Sequence, residues 1–151
     1  MRTLWGVISS ILLLAIVAMA APKPGAQSEQ PFPATLRNAR FVYIAAYDGD
    51  EFNLNLLPAD RAAIVAVQDA IQSWGKLIVV YRPQDADIIL RVESRPSEDV
   101  LAVYDAKSPS DQYLWRAMGR DGLQLAETPL VTQFEKGFEG VQAKSNQATH
   151  K

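Results

Sequence analysis

Phe41-Val42-Tyr43-Ile44-Ala45-Ala46-Tyr47, then Pro58 to Trp74, then Leu77-Ile78-Val79-Val80-Tyr81 is the stretch that decides the fold. The first run is rich in β-formers and reads as a strand, with Phe41, Tyr43, Ala45 and Tyr47 on one face and Val42, Ile44 and Ala46 on the other. Both faces are apolar, as in a strand covered at least partly on each side. In the second run Ala63, Ile64, Val67, Ala70, Ile71 and Trp74 recur at three- and four-residue spacing, which makes one apolar helical stripe. Gln68, Asp69, Gln72 and Ser73 take the opposite face. Pro58 suits a first helical position, Asp60 complements the positive end of the helix dipole, and Gly75 suits a left-handed C-cap. The third run is short, continuous and apolar, and reads as a second strand.

Further along, Asp87 to Glu93 predicts a third strand, with Ile88, Leu90 and Val92 inward and Arg91 and Glu93 outward. Whether the Arg82–Ala86 link is a hairpin loop or a turn crossing to the other side of the first strand stays open. Val100–Tyr104 and Gln112–Met118 predict a fourth and a fifth strand, separated by a loop at Lys107–Asp111. Thr128 suits an N-cap and Pro129 the first turn of a last helix, whose stripe is Leu130, Phe134, Phe138 and Val141. Gly137 and Gly140 each cost that helix about 1 kcal/mol relative to Ala, so it depends on docking to the sheet. The order reads as β-α-β-β-β-α, an α+β (α/β-like sandwich) fold with one five-stranded mixed sheet and two helices packed on it.

Outside this domain, Met1 and Arg2 precede an apolar stretch from Leu4 to Met19, and Ala18-Met19-Ala20 presents small residues where a signal peptidase cuts. The expectation is a signal peptide at 1–20, a Pro-rich linker at 21–38, a single domain at 39–143 and a frayed tail at 144–151. The rival reading is an uncleaved N-terminal anchor. Both place the domain outside the cytoplasm, in the periplasm or secreted. Removing residues 1–20 takes away Arg2 and no acid, leaving 131 residues with 14 Lys/Arg against 17 Asp/Glu and a net charge of −3. That balance argues against nucleic acid and against a polybasic contact with anionic lipid. After cleavage no stable membrane span is expected.

The run from Phe41 to Val92, with Ser73-Trp74-Gly75-Lys76 closing the helix and Asp85-Ala86-Asp87-Ile88-Ile89-Leu90 opening the third strand, resembles small exported bacterial α/β proteins and lipoproteins. In outline it is also similar to the N-terminal domain of TolB and related envelope accessory proteins. The resemblance covers about a third of the chain. It implies a non-enzymatic domain that binds an envelope protein partner, and it brings no catalytic residues. The sequence departs from it in having no cysteine for lipid attachment and no following β-propeller.

Chemistry-bearing groups are sparse. The absence of Cys excludes disulfides, thiolate metal sites and cysteine nucleophiles. The single histidine, His150, lies at the end of a polar tail, so neither a Ser-His-Asp triad nor a His-ligated zinc site is expected. No cofactor motif is present. Asp48-Gly49-Asp50-Glu51, at the C-terminal end of the first strand, is the sharpest candidate for a ligand or cation site or a carboxylate acid–base pair. The competing reading is a solvated turn. Tyr113 and Trp115 share a face of a strand expected at a sheet edge, and are candidates for partner binding by strand addition; packing under the last helix is the alternative. Arg82, Asp85 and Asp87 read as exposed ion pairing, and Arg116 faces either a ligand or solvent. The function expected is therefore an exported non-catalytic interaction domain, with a small-ligand or cation-binding protein or a weak carboxylate-dependent hydrolase as the alternative. Oligomeric state is left open.

Overall fold

The structure, a computed structural model, describes residues 30–108, 110, 112–123 and 128–149. The expected signal peptide, the first part of the expected linker and His150 lie outside the described residues. Five strands and two helices follow one another: β1 (Phe41–Ala46), α1 (Pro58–Trp74), β2 (Ile78–Val80), β3 (Ile88–Ser94), β4 (Asp99–Asp105), β5 (Trp115–Gly119) and α2 (Pro129–Thr149). Written in full, the order is β-α-β-β-β-β-α, with the five strands of the expected mixed sheet.

The sheet order is β2-β1-β3-β4-β5. β1 pairs in parallel with both β2 and β3, while β3, β4 and β5 form an antiparallel meander. This resolves the Arg82–Ala86 link. A 3-10 turn at Pro83–Asp85 carries the chain across β1, so β2 and β3 flank it on opposite sides.

α1 begins at Pro58 and ends where expected, with Gly75 at φ 73° and its N–H bonded to the Ile71 carbonyl at 3.1 Å. An L side chain adopts that φ only at a cost, which is why glycine stops the helix there. Ala63, Ile64, Val67 and Ile71 are buried, and Ala70 and Trp74 pack at the margin of the core. α2 buries Leu130, Val131, Phe134 and Phe138. Each fully buried large side chain contributes about 1.5–3 kcal/mol, which outweighs the helix cost of Gly137 and Gly140. Both helices contribute to one core with Val42, Ile44, Leu90, Val92, Leu101, Val103 and Trp115. They therefore lie on the same face of the sheet, and the molecule is a two-layer sandwich.

Three boundaries differ from the sequence reading. Residues 32–38, expected to be spacer, belong to the fold. A 3-10 turn spans Ala34–Asn38, Leu36 is 3% exposed, and the Phe32 ring lies 5.5 Å from Trp115 and 5.6 Å from Phe134. Two apolar side chains among prolines are enough to close the open end of the helix layer. At the other end α2 continues to Thr149, past the expected start of the tail. β5 starts at Trp115, three residues later than expected, and the Leu114 N–H just before it donates to the Val103 carbonyl at 2.7 Å. No helix among the described residues is long and apolar enough to cross a membrane.

Candidate functional site

The acidic turn after β1 is built as a structural turn. Ala46 and Gly49 exchange backbone hydrogen bonds at 2.8 and 3.3 Å, and Gly49 takes φ 139°. A Cβ on Gly49 would meet Asn53 Nδ2 at 2.6 Å, so the side chain is missing for two reasons. The Asp50 carboxylate is engaged on both oxygens: Oδ2 accepts from the Tyr43 hydroxyl and Oδ1 from the Phe52 N–H, each at 3.1 Å. Burial and the Asp50 charge push the Tyr43 hydroxyl up to about 12. Glu51 Oε1 accepts from Gln68 Nε2 at 3.4 Å. Asp48 is exposed, and its carbonyl, not its carboxylate, accepts from Asn53 Nδ2 at 2.7 Å. Arg61 of α1 donates to the carbonyls of Glu51 and Asn53 and ties the loop to the helix. The Asp50 and Glu51 carboxylates are thus engaged separately, and Asp48 takes part through its backbone carbonyl. Among the described residues no group of three His, Asp or Glu side chains is placed to hold a metal ion.

Tyr113 and Trp115 are not brought together. β5 is an edge strand, but Trp115 is 6% exposed, with its ring packed between Phe32 and Phe134 under α2. Tyr113 precedes the strand and is 38% exposed. A partner strand added beside β5 would meet Tyr113 and not the Trp115 ring. Arg82 and Asp85 pair at 2.6 Å as read from sequence, and Asp87 pairs with Lys107 at 2.6 Å while its other oxygen accepts from the N–H groups of Arg40 and Phe41 and pins the start of β1.

Two further carboxylates are buried, and both are satisfied. Asp60 accepts from the Ser94 N–H and from Arg95; Asp99 accepts from the Ser94 hydroxyl at 2.7 Å and the Leu123 N–H at 3.0 Å. Their bonding partners are groups of the fold, so they clamp the β3–β4 turn to α1 and to the segment after β5.

The constellation that sequence reasoning missed lies on the sheet face opposite the helices. The pairing registers align Ala45, Arg91, Ala102 and Arg116 in one row across β1, β3, β4 and β5. The guanidinium of Arg91 sits 4.7 Å from the Tyr104 ring centre and 5.8 Å from that of Tyr47. Those rings meet edge-on at 6.5 Å, and their hydroxyls share one hydrogen bond at 3.1 Å. Burial and that bond push the Tyr47 hydroxyl up to about 12. Arg116 acts on the same hydroxyl in the opposite direction, so it lies within electrostatic reach of it. The only sequence signal was alternation: Arg91 stands at an outward position of its strand, as Tyr47 does on the Tyr43–Ala45 face. Which outward residues become neighbours depends on register between strands. No family model, curated protein or solved structure matches the chain.

Proposed function

We propose that this chain is an exported, non-catalytic interaction domain of the bacterial envelope, and that it engages a protein partner through the uncovered face of its sheet. One observation carries the reading. Both helices crowd onto one face, and the other keeps aromatic and aliphatic groups in the open: Phe41 is 36% exposed, Tyr47 42% and Ile78 55%. A sheet face of this composition is an unpaid desolvation opportunity, because covering it with a partner removes apolar area from water. Export rests on the Arg2 n-region, the apolar stretch to Met19 and Ala18-Met19-Ala20. The lack of convergence among Asp48, Asp50 and Glu51 supports a role without catalysis.

The test uses photo-crosslinking side chains placed in intact cells at Ile78 and Ile89 on the uncovered face, and at Gln133 on the outer side of α2. Discrete adducts of one size from the sheet positions and none from Gln133 are expected. Adducts from Gln133 alone, or from none of the three, overturn the proposal. The intact mass of the exported protein tests the processing: a mass that includes residues 1–20 overturns cleavage in favour of an anchor.

A further inference from the structure

We infer that the segment docking on the uncovered face is acidic, and that Arg91 and Arg116 receive its carboxylates. This rests on the reading of that face as the partner surface, and specifies its chemistry.

The register places Arg91 and Arg116 on either side of Ala102, on strands two apart in the sheet. Neighbouring strands lie about 4.8 Å apart, so the two Cα atoms are separated by about 10 Å, within the combined reach of two arginine side chains. Ala45 and Ala102 extend the row with small side chains and are themselves buried, at 7% and 0% exposed, so what the row presents to solvent is the half-buried Arg91 and the exposed Arg116. Lys76, Arg82, Arg95 and Lys107 all have carboxylate partners; Arg91 and Arg116 have none among the described residues. Glu93, on the same face of β3 as Arg91, is held by Arg95 at 3.3 Å. An acidic protein thus keeps two uncompensated guanidinium groups side by side on its open face.

The aromatic pair makes this arrangement a receptor and not merely a charge. The Arg91 guanidinium lies over the Tyr104 and Tyr47 rings at 4.7 and 5.8 Å and makes no ion pair among the described residues, so its N–H groups remain to fork onto a carboxylate. The two hydroxyls carry two protons and use one between them, so one O–H remains to donate to the same anion. Along an extended segment, every second side chain points the same way at a spacing of about 6.5–7 Å, so acids at alternate positions reach both arginines. A free small anion would leave the flanking Phe41, Tyr47 and Ile78 surface uncovered. A second copy docked about a two-fold axis would set the arginine row against itself.

The experiment uses the exported protein, purified intact, and two fluorescent peptides, one alternating Glu and Thr, the other Gln and Thr. Fluorescence anisotropy is expected to show about tenfold or greater preference for the Glu peptide, as charge-assisted forks require. Arg116→Gln removes an exposed side chain and should erase most of that preference without unfolding; Arg91→Gln with Arg116→Gln should abolish it. Arg120→Gln, in the turn beyond β5, should leave it unchanged. Equal binding of the two peptides, or a preference insensitive to Arg116→Gln, overturns the inference. So does full competition by acetate at matched ionic strength, which marks a small-anion site. Self-association lost in the same variants overturns it in favour of a second copy. If crosslinks from Ile78 and Ile89 persist while the Glu preference is absent, only the acidic chemistry fails. If the crosslinks are absent, the partner surface itself fails.

Discussion

Arg95 grips Asp60 across 35 positions of sequence: its Nη1 lies 2.8 and 2.9 Å from the two carboxylate oxygens, and Asp60 is 1% exposed. The Ser94 N–H adds a third bond at 2.7 Å. The pair joins the first turn of α1 to the end of β3. It also draws the Arg95 guanidinium toward its charged form, the Asp60 hydrogen bond being the largest cause. Removing one partner of a buried pair strands the other's polar groups, so Asp60→Ala should lower stability by about 3 kcal/mol in urea denaturation. Arg95→Ala should cost less, since its side chain is 33% exposed and water can replace part of what is lost. A double variant no worse than Asp60→Ala would demonstrate the coupling; strict additivity would refute it.

The two glycines of α2 should respond in opposite directions to alanine. Around Gly140 a Cβ meets nothing within 4 Å, so Gly140→Ala should stabilise by about 0.5–1 kcal/mol through helix propensity alone. At Gly137 the added Cβ falls 2.7 Å from Phe32 Cγ and 3.1 Å from its Cβ. Gly137→Ala must therefore push Phe32 off the aromatic cluster, with an expected loss of about 1–3 kcal/mol. Thermal melts of the two variants decide this; a stabilised Gly137→Ala would mean that the 32–38 segment does not hold α2.

Asp87 should shape the acid limb of stability. Its Oδ1 accepts from Lys107 at 2.6 Å, and its Oδ2 from the Arg40 and Phe41 N–H groups at 2.9 and 3.1 Å. Lys107 first, and the Arg40 N–H second, hold the carboxyl below its ordinary value. A depressed folded pKa favours the fold fully above the unfolded value of about 3.9, and that contribution is lost as pH falls through the folded pKa. Asp87→Asn should therefore lower stability near neutrality by about 1 kcal/mol and flatten the decline below about pH 4. Lys107 is 72% exposed at its side chain, so salt should erase its share while leaving that of the backbone donors. Urea midpoints at neutral and acid pH, with and without salt, measure both.

The tyrosines on the uncovered face should act at the alkaline end. Tyr47 is pushed up to about 12, by burial first and by the Tyr104 hydroxyl second. Its folded pKa lies above the unfolded value of about 10, so between those values the unfolded chain releases a proton that the folded one keeps. Stability should fall as pH rises through that window. Tyr104→Phe removes the hydrogen bond but not the burial, so near-ultraviolet absorbance titration should find Tyr47 lowered yet still above its ordinary value. An unchanged Tyr47 transition in Tyr104→Phe would contradict the contact.

Much of this arrangement was legible along the chain. α1 from Pro58 to the Gly75 cap, the alternation of Ile88, Leu90 and Val92, and the Leu130, Phe134 and Phe138 stripe are periodic patterns read from a few neighbouring residues. Phe32 and Leu36 were not legible as core, because a short apolar pair among prolines carries no period. Asp60 was read as a dipole partner, and that position is right; its burial against Ser94 and Arg95 depends on a residue more than thirty positions away.

The sequence by itself determined the strands, the helices, their buried stripes and the α+β class, because hydrophobic period and capping chemistry are local. Only the tertiary structure decided that β3 crosses to the far side of β1, and that both helices share one face. It alone set Arg91 and Arg116 in line across Ala102 and brought the Arg91 guanidinium over Tyr47 and Tyr104. The reason is physical: strand neighbours and register are settled by which faces can be buried together, a property of the whole core that no single segment encodes.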